Sequence, residues 1–192
     1  GVYGFVRKST LINNNPAQIE IAILDGIQNI MPFGVGSDLQ NQSSNLVDAY
    51  KRSELIKDKG LAIYALSAII VDKAEPSEAL KANIVWSMGL ENPKYLLSSL
   101  QVKNFRKKGF VEEEIDVKAE KGAYFLNAEI VLPANEQKEW MLIADVNQDH
   151  ADIARILQII KSEKQLENLV NRNIEAGSKR LTALNAGSDG LQ

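Results

Sequence analysis

Several short segments of the first 145 positions carry strand-like apolar patterns, and from Asn147 the period becomes helical. Residues 5–12 predict a strand that carries basic and hydroxyl side chains. Asn13-Asn14-Asn15-Pro16 predicts a turn, because asparagine tolerates positive φ and proline donates nothing to a ladder. Residues 18–24, with Ile19, Ile21 and Ile23 on one face, predict a second strand, and the two make a candidate hairpin. Residues 25–35 mix Gly26, Pro32 and Gly34 with apolar side chains and predict an irregular apolar loop; 37–51 predicts a short helix. Residues 61–71 are apolar on both faces, as expected of a central strand covered on both sides. After a turn at 73–78 come strands over 79–88, 110–117, 123–132 and 140–145, the last three reading as an antiparallel series joined by tight turns. Ile153, Ile156, Leu157 and Ile160 then form one helical stripe. Ser162 with Gln165 reads as a capping box that opens a second helix, carrying Leu166, Leu169, Val170, Ile174 and Leu181.

This pattern predicts a mainly β chain: an antiparallel β-sandwich over 1–146, followed by amphipathic linker helices over 147–192. Each helical stripe must be buried against something, so the helical segment reads as a docking element. The start at Gly1 and a stripe still running close to Ala186-Gly187-Ser188-Asp189-Gly190 read as an excised piece of a longer polypeptide.

Composition narrows the function. A formal charge of -3 lacks the basic face that phosphate neutralisation needs, so nucleic acid is not expected as a partner. No apolar run reaches about 18 residues, so no membrane span is expected. Cysteine is absent, which removes thiolate nucleophiles, disulfides and the common structural zinc sites; with no visible signal peptide it points to a cytoplasmic setting. No metal site and no cofactor is expected, and P-loop, GxGxxG and HExxH patterns are missing.

Candidate chemistry is sparse. His150, the one histidine, sits at a helix start beside Asp149 and Asp152, where the helix dipole explains the acids. Glu112, Glu113 and Glu114 are expected to alternate on a solvated edge strand and so not to converge as a catalytic pair. Asp25 and Asp145 read as turn residues, and Arg106-Lys107-Lys108 as a solvated basic turn. No catalytic residue is assigned. Trp86, Trp140 and Tyr50 are the candidate carbohydrate contacts, although Trp86 shares a face with Leu80 and Ile84 and a core position is its plainer reading.

Several segments together carry a family likeness. They are Arg7-Lys-Ser-Thr-Leu-Ile-Asn13, Ile23-Leu-Asp-Gly-Ile-Gln-Asn-Ile-Met-Pro-Phe-Gly34, Asn45-Leu-Val-Asp-Ala-Tyr-Lys-Arg52, the passage 140–148 and the helical run to Gln192. In these the chain resembles the N-terminal part of cellobiose-phosphorylase-like proteins, a carbohydrate-active family. The resemblance implies a supersandwich-like β domain and a linker, followed in the parent by a helical barrel that holds the catalytic acid. No catalytic residue carries over to this chain. The partners implied are the missing downstream catalytic domain, a second copy in a homodimer, and carbohydrate. Two other readings stand beside this one: a stand-alone carbohydrate-binding module, and a structural or assembly domain of an unrelated multidomain protein.

Overall fold

Most of the expected strand segments become strands, but they are shared between two sheets. In the computed structural model, which describes residues 3–68, 79–162 and 165–188, the chain runs β1 (Phe5–Ile12), β2 (Ile19–Ile30), α1 (Ser37–Gln42), α2 (Ser44–Tyr50), β3 (Lys51–Ile56) and β4 (Leu61–Leu66). It continues with β5 (Ala82–Met88), β6 (Lys94–Leu96), α3 (Val102–Arg106), β7 (Asp116–Lys118), β8 (Gly122–Leu132) and β9 (Gln137–Gln148), then α4 (His150–Ser162) and α5 (Leu166–Ser188). The larger sheet has the order β1-β9-β5-β4-β3-β7 and the smaller β2-β8-β6, with every pairing antiparallel. The fold is mainly β, sandwich-like, with helices at its C-terminal end.

The expected hairpin of 5–12 with 18–24 does not form. β1 pairs with β9 and β2 with β8, so the chain crosses between sheets at the asparagine turn. Asn13 holds that crossing: its side-chain amide donates to the carbonyls of Ala17, Leu132 and Pro133. The expected antiparallel series is corrected in the same way. β7 and β9 belong to the larger sheet and β8 to the smaller, so β8 and β9 meet face to face across the inner layer, Tyr124, Leu126, Ile130 and Leu132 against Trp140 and Leu142, instead of pairing side by side.

Other boundaries move. β2 runs through Asp25 to Ile30, with a register shift between Gln28 and Ile30 where Asn29 takes φ 57°, so the first half of the expected loop is strand. Two short helices replace the one expected over 37–51, and β3 had no sequence signal assigned to it. Strand structure at 110–117 shrinks to β7 at its end. The far end of the expected 61–71 strand, the 73–78 turn, residues 163–164 of the capping box and the 189–192 tail lie outside the described residues.

The core has two main layers. Between the sheets lie Leu55, Ala62, Tyr64, Val85, Tyr124, Leu126, Ile130, Leu132, Trp140 and Leu142. On the other face of the larger sheet lie Leu61, Ile84, Trp86, Met141 and Ile143, covered by Ile156 of α4 and Val170 of α5. β4 contributes Ala62 and Tyr64 to one layer and Leu61 to the other, as its two-faced apolar pattern predicts. A smaller cluster of Leu96, Val111, Ala123 and Phe125 sits on the outer face of the smaller sheet, beneath Val102 and Phe105.

Candidate functional site

Several of the polar groups that sequence alone singles out hold the fold together. Asp25 lies within β2 rather than at a turn, and its Oδ2 collects three donors: the Arg7 guanidinium at 2.5 Å, the Ser9 hydroxyl at 3.2 Å and Trp140 Nε1 at 2.6 Å. Arg7 also donates from Nη1 to the Gly26 carbonyl at 2.9 Å. Arg7 and Ser9 come from β1 and Trp140 from β9, so this cluster ties one sheet to the other. A carboxylate with this many donors on one oxygen is a structural clamp.

The three consecutive glutamates are not on a strand. The Glu114 carboxylate accepts the backbone N–H groups of Leu97 and Ser98 at 2.7 and 2.8 Å, the Ser98 hydroxyl at 3.0 Å and the Gln101 amide at 2.8 Å. It holds the 97–101 turn. Glu113 pairs with Lys57 at 2.6 Å and Glu112 is exposed. A loop, not a pleat, decides where these side chains point, which strand alternation could not reveal.

Lys51, which no pattern in the chain marks out, is buried. Its ammonium is satisfied by Gln40 and Asp48, each at 2.7 Å. At Asp48 burial resists ionisation, but the Lys51 hydrogen bond and charge, with Gln40, outweigh it and lower the carboxyl below its ordinary range. Asp149 caps α4 by accepting the N–H groups of Ala151 and Asp152 at 2.8 and 3.0 Å. Those bonds, the Asp152 one foremost, lower its carboxyl. His150 is exposed beside it. Among the described residues no cluster of His, Cys, Asp or Glu has the makings of a metal site.

The three candidate sugar contacts do not come together. Trp86 is 1% exposed, edge-on to Tyr3 at 6.4 Å and covered by the C-terminal helices. Trp140 is 6% exposed in the layer between the sheets. Tyr50 is half-buried at the end of α2. Neither indole supplies an open stacking platform, so the role offered for them as sugar contacts does not suit their places.

Two other features are open. A cleft of about 1250 Å³ lies at one end of the sandwich, bounded by the β3–β4 turn (Lys57, Lys59, Gly60), by Asn92, Lys94 and Tyr95, by Phe110 and Glu112, and by Ile160 and Lys161 of α4. Gly60 adopts φ 58° there, and Tyr95 packs so close to it that a side chain would not fit. Phe110 is 70% exposed, with Lys94 Nζ 4.3 Å from its ring centroid. Sequence reading missed this phenylalanine because it was placed on a strand face.

The second feature is α5. Its first turns are docked through Leu166, Leu169 and Val170. Beyond Ile174 every described side chain is exposed, including Leu181 at 60% and Leu184 at 65%. Ile174, Leu181 and Leu184 are spaced to share one face of the helix.

Comparison with known proteins adds no relative: no family model matches the chain, and no curated protein matches it. The likeness to cellobiose-phosphorylase-like proteins gains no support from either.

Proposed function

We propose that this chain is the non-catalytic β-sandwich and helical linker of a larger carbohydrate-active enzyme resembling cellobiose phosphorylases, and that it braces the catalytic domain through α5. The observation that carries this reading is the contrast along one helix. The same apolar stripe is sealed at Val170 and bare at Leu181 and Leu184. Leucines at a fixed helical spacing are a docking surface waiting for a partner, and a scattered pair of exposed leucines would need no such account. The polar clusters support the same reading, since Asp25, Glu114 and Lys51 are each engaged by groups of the fold.

The test uses the longer gene product. Leu181→Glu with Leu184→Glu is expected to lower its melting temperature and glycoside-cleaving or phosphorylase activity, while the isolated chain shows neither activity. A double variant that melts and turns over like the parent would end the bracing model. A second reading, a carbohydrate-binding module, is favoured by one observation: the exposed Phe110 ring flanked by polar groups of the open cleft. Calorimetry with soluble oligosaccharides, compared between the parent and Phe110→Ala, decides it.

A further inference from the structure

The two sheets are unequal, with six strands against three among the described residues, and the smaller one ends in a long edge. β2 has 12 residues and, among the described residues, pairs on one side only, with β8. The consequence is visible in burial. Ile19, Ile21 and Ile23 point to the inner layer, because their β8 partners on the same face include Leu132 and Ile130 of the core. Leu132 and Ile130 are buried, yet all three isoleucines stay half-buried. The layer is unfinished along this strand.

Edges of this kind are usually blunted by charge, proline or a bulge. β1, the corresponding edge of the larger sheet, carries Arg7 and Lys8. β2 is blunted only in its second half, where Arg7 holds Asp25 and the Gly26 carbonyl and where the register shifts after Gln28. The stretch from Ile19 to Leu24 has one charge, Glu20, and no proline. An occupant must therefore be an extended segment with aliphatic side chains on alternate positions, running about six residues.

We infer that the Ile19–Leu24 edge of β2 pairs antiparallel with the same edge of a second copy, about a two-fold axis at Ile21. The strand meets its own requirement. Continuing the sandwich requires inward residues to oppose inward residues, so the register sum is even. Centring on Ile21 places Ile19 opposite Ile23 of the second copy, Ile21 opposite its counterpart, and Glu20 opposite Ala22. An unbroken aliphatic ladder forms on the inner face and no like charges meet. The smaller sheet doubles to six strands across the dimer.

The chain's lack of cysteine makes the test specific. Directly opposed residues in an antiparallel pair have Cα atoms about 4.5–5.5 Å apart, within the span of a disulfide. Ile21→Cys is expected to form a covalent dimer under mild oxidation. Ile19→Cys is expected to stay monomeric, because it faces residue 23 and lies four residues from its own counterpart. By analytical ultracentrifugation the parent chain should show a concentration-dependent dimer, which Ile21→Lys weakens by at least about tenfold. Thermal melts check that each variant folds, and the parent's own mass holds the inference to account if one does not. A parent monomeric at every concentration, with no Ile21→Cys dimer, overturns it. So does equal cross-linking at Ile19, or a dimer abolished by Leu181→Glu with Leu184→Glu but untouched at Ile21.

Discussion

The larger sheet is covered on both faces, and the two covers are built differently. Across the inner layer, directional bonds from aromatic side chains run from sheet to sheet. The Tyr64 hydroxyl donates to the Ala123 carbonyl at 2.7 Å, the Tyr124 hydroxyl to the Gly60 carbonyl at 2.6 Å, and Trp140 Nε1 to Asp25 at 2.6 Å. Tyr64 and Trp140 reach from the larger sheet and Tyr124 from the smaller, so the ties are reciprocal. On the other face Trp86, Ile84, Leu61, Met141 and Ile143 meet Ile153, Ile156, Leu157 and Val170, apolar groups on both sides. A layer fixed by polar ties has one arrangement, since any shift strands a buried carbonyl or phenol. A layer held by apolar area alone depends on how much surface is covered and tolerates small slides.

The largest effect should therefore come from removing a cover outright. A chain stopped after Gln148 loses α4 and α5 and bares Trp86, Met141 and Ile143. It is expected to aggregate, or to bind a hydrophobic dye and emit Trp fluorescence at longer wavelength. A truncated chain that stays soluble with an unchanged melting temperature would remove the helices from the stability of the sandwich. Next in size, Trp86→Ala should cost about 3–5 kcal/mol in chemical denaturation, from lost transfer energy plus the cavity left behind. A negligible loss would mean the helices already sit loosely on this face.

How far the sequence shows this division can be seen in individual residues. The two-faced strand at β4, the central place of Trp86 and the change of period near Asn147 all follow from apolar spacing, which is a local property of the chain. Sheet membership is not local. Phe5–Ile12 and Ile19–Ile30 are close enough in sequence to form a hairpin, and nothing in their alternation says that Asn13 will turn the chain between layers instead. The same limit hid the clamps. Asp25 looked like the first half of an Asp-Gly turn, yet its partners lie 16 to 18 residues away in β1 and 115 residues away in β9. Of the candidate site, the helical stripe was legible to its end, whereas Phe110 was not, because its exposure is set by an irregular segment that Glu114 and Gln101 pin in place.

The polar ties give the next, smaller prediction. Tyr64→Phe keeps the ring and leaves the buried Ala123 carbonyl without that donor, at an expected cost of about 1–3 kcal/mol. Burial pushes both this phenol and that of Tyr124 well above their ordinary pKa, so neither ionises in the folded state across the neutral range. Combining Tyr64→Phe with Tyr124→Phe in a double-mutant cycle sharpens the contrast. Coupling between two ties in one layer should be measurable, while Tyr64→Phe with Trp86→Ala, on opposite faces of the sheet, should be closer to additive. Strict additivity in both pairs would mean that the two covers are not built on different principles after all.

The smallest effect is expected where the apolar stripe is bare. In the isolated chain, Leu181→Ala and Leu184→Ala should each change stability by no more than about 0.5 kcal/mol, because neither leucine loses cover and alanine is the better helix former. The same kind of truncation at Ile156, buried in the helical layer, should cost about 2–5 kcal/mol. The two sites lie on consecutive helices of one amphipathic segment, so the difference isolates burial from helix propensity. If the distal substitutions instead cost a kilocalorie or more, and the cost grows with protein concentration, then a second copy already covers the end of α5. The stripe would then be an assembly surface of the chain itself, and the bracing model would lose the observation on which it rests.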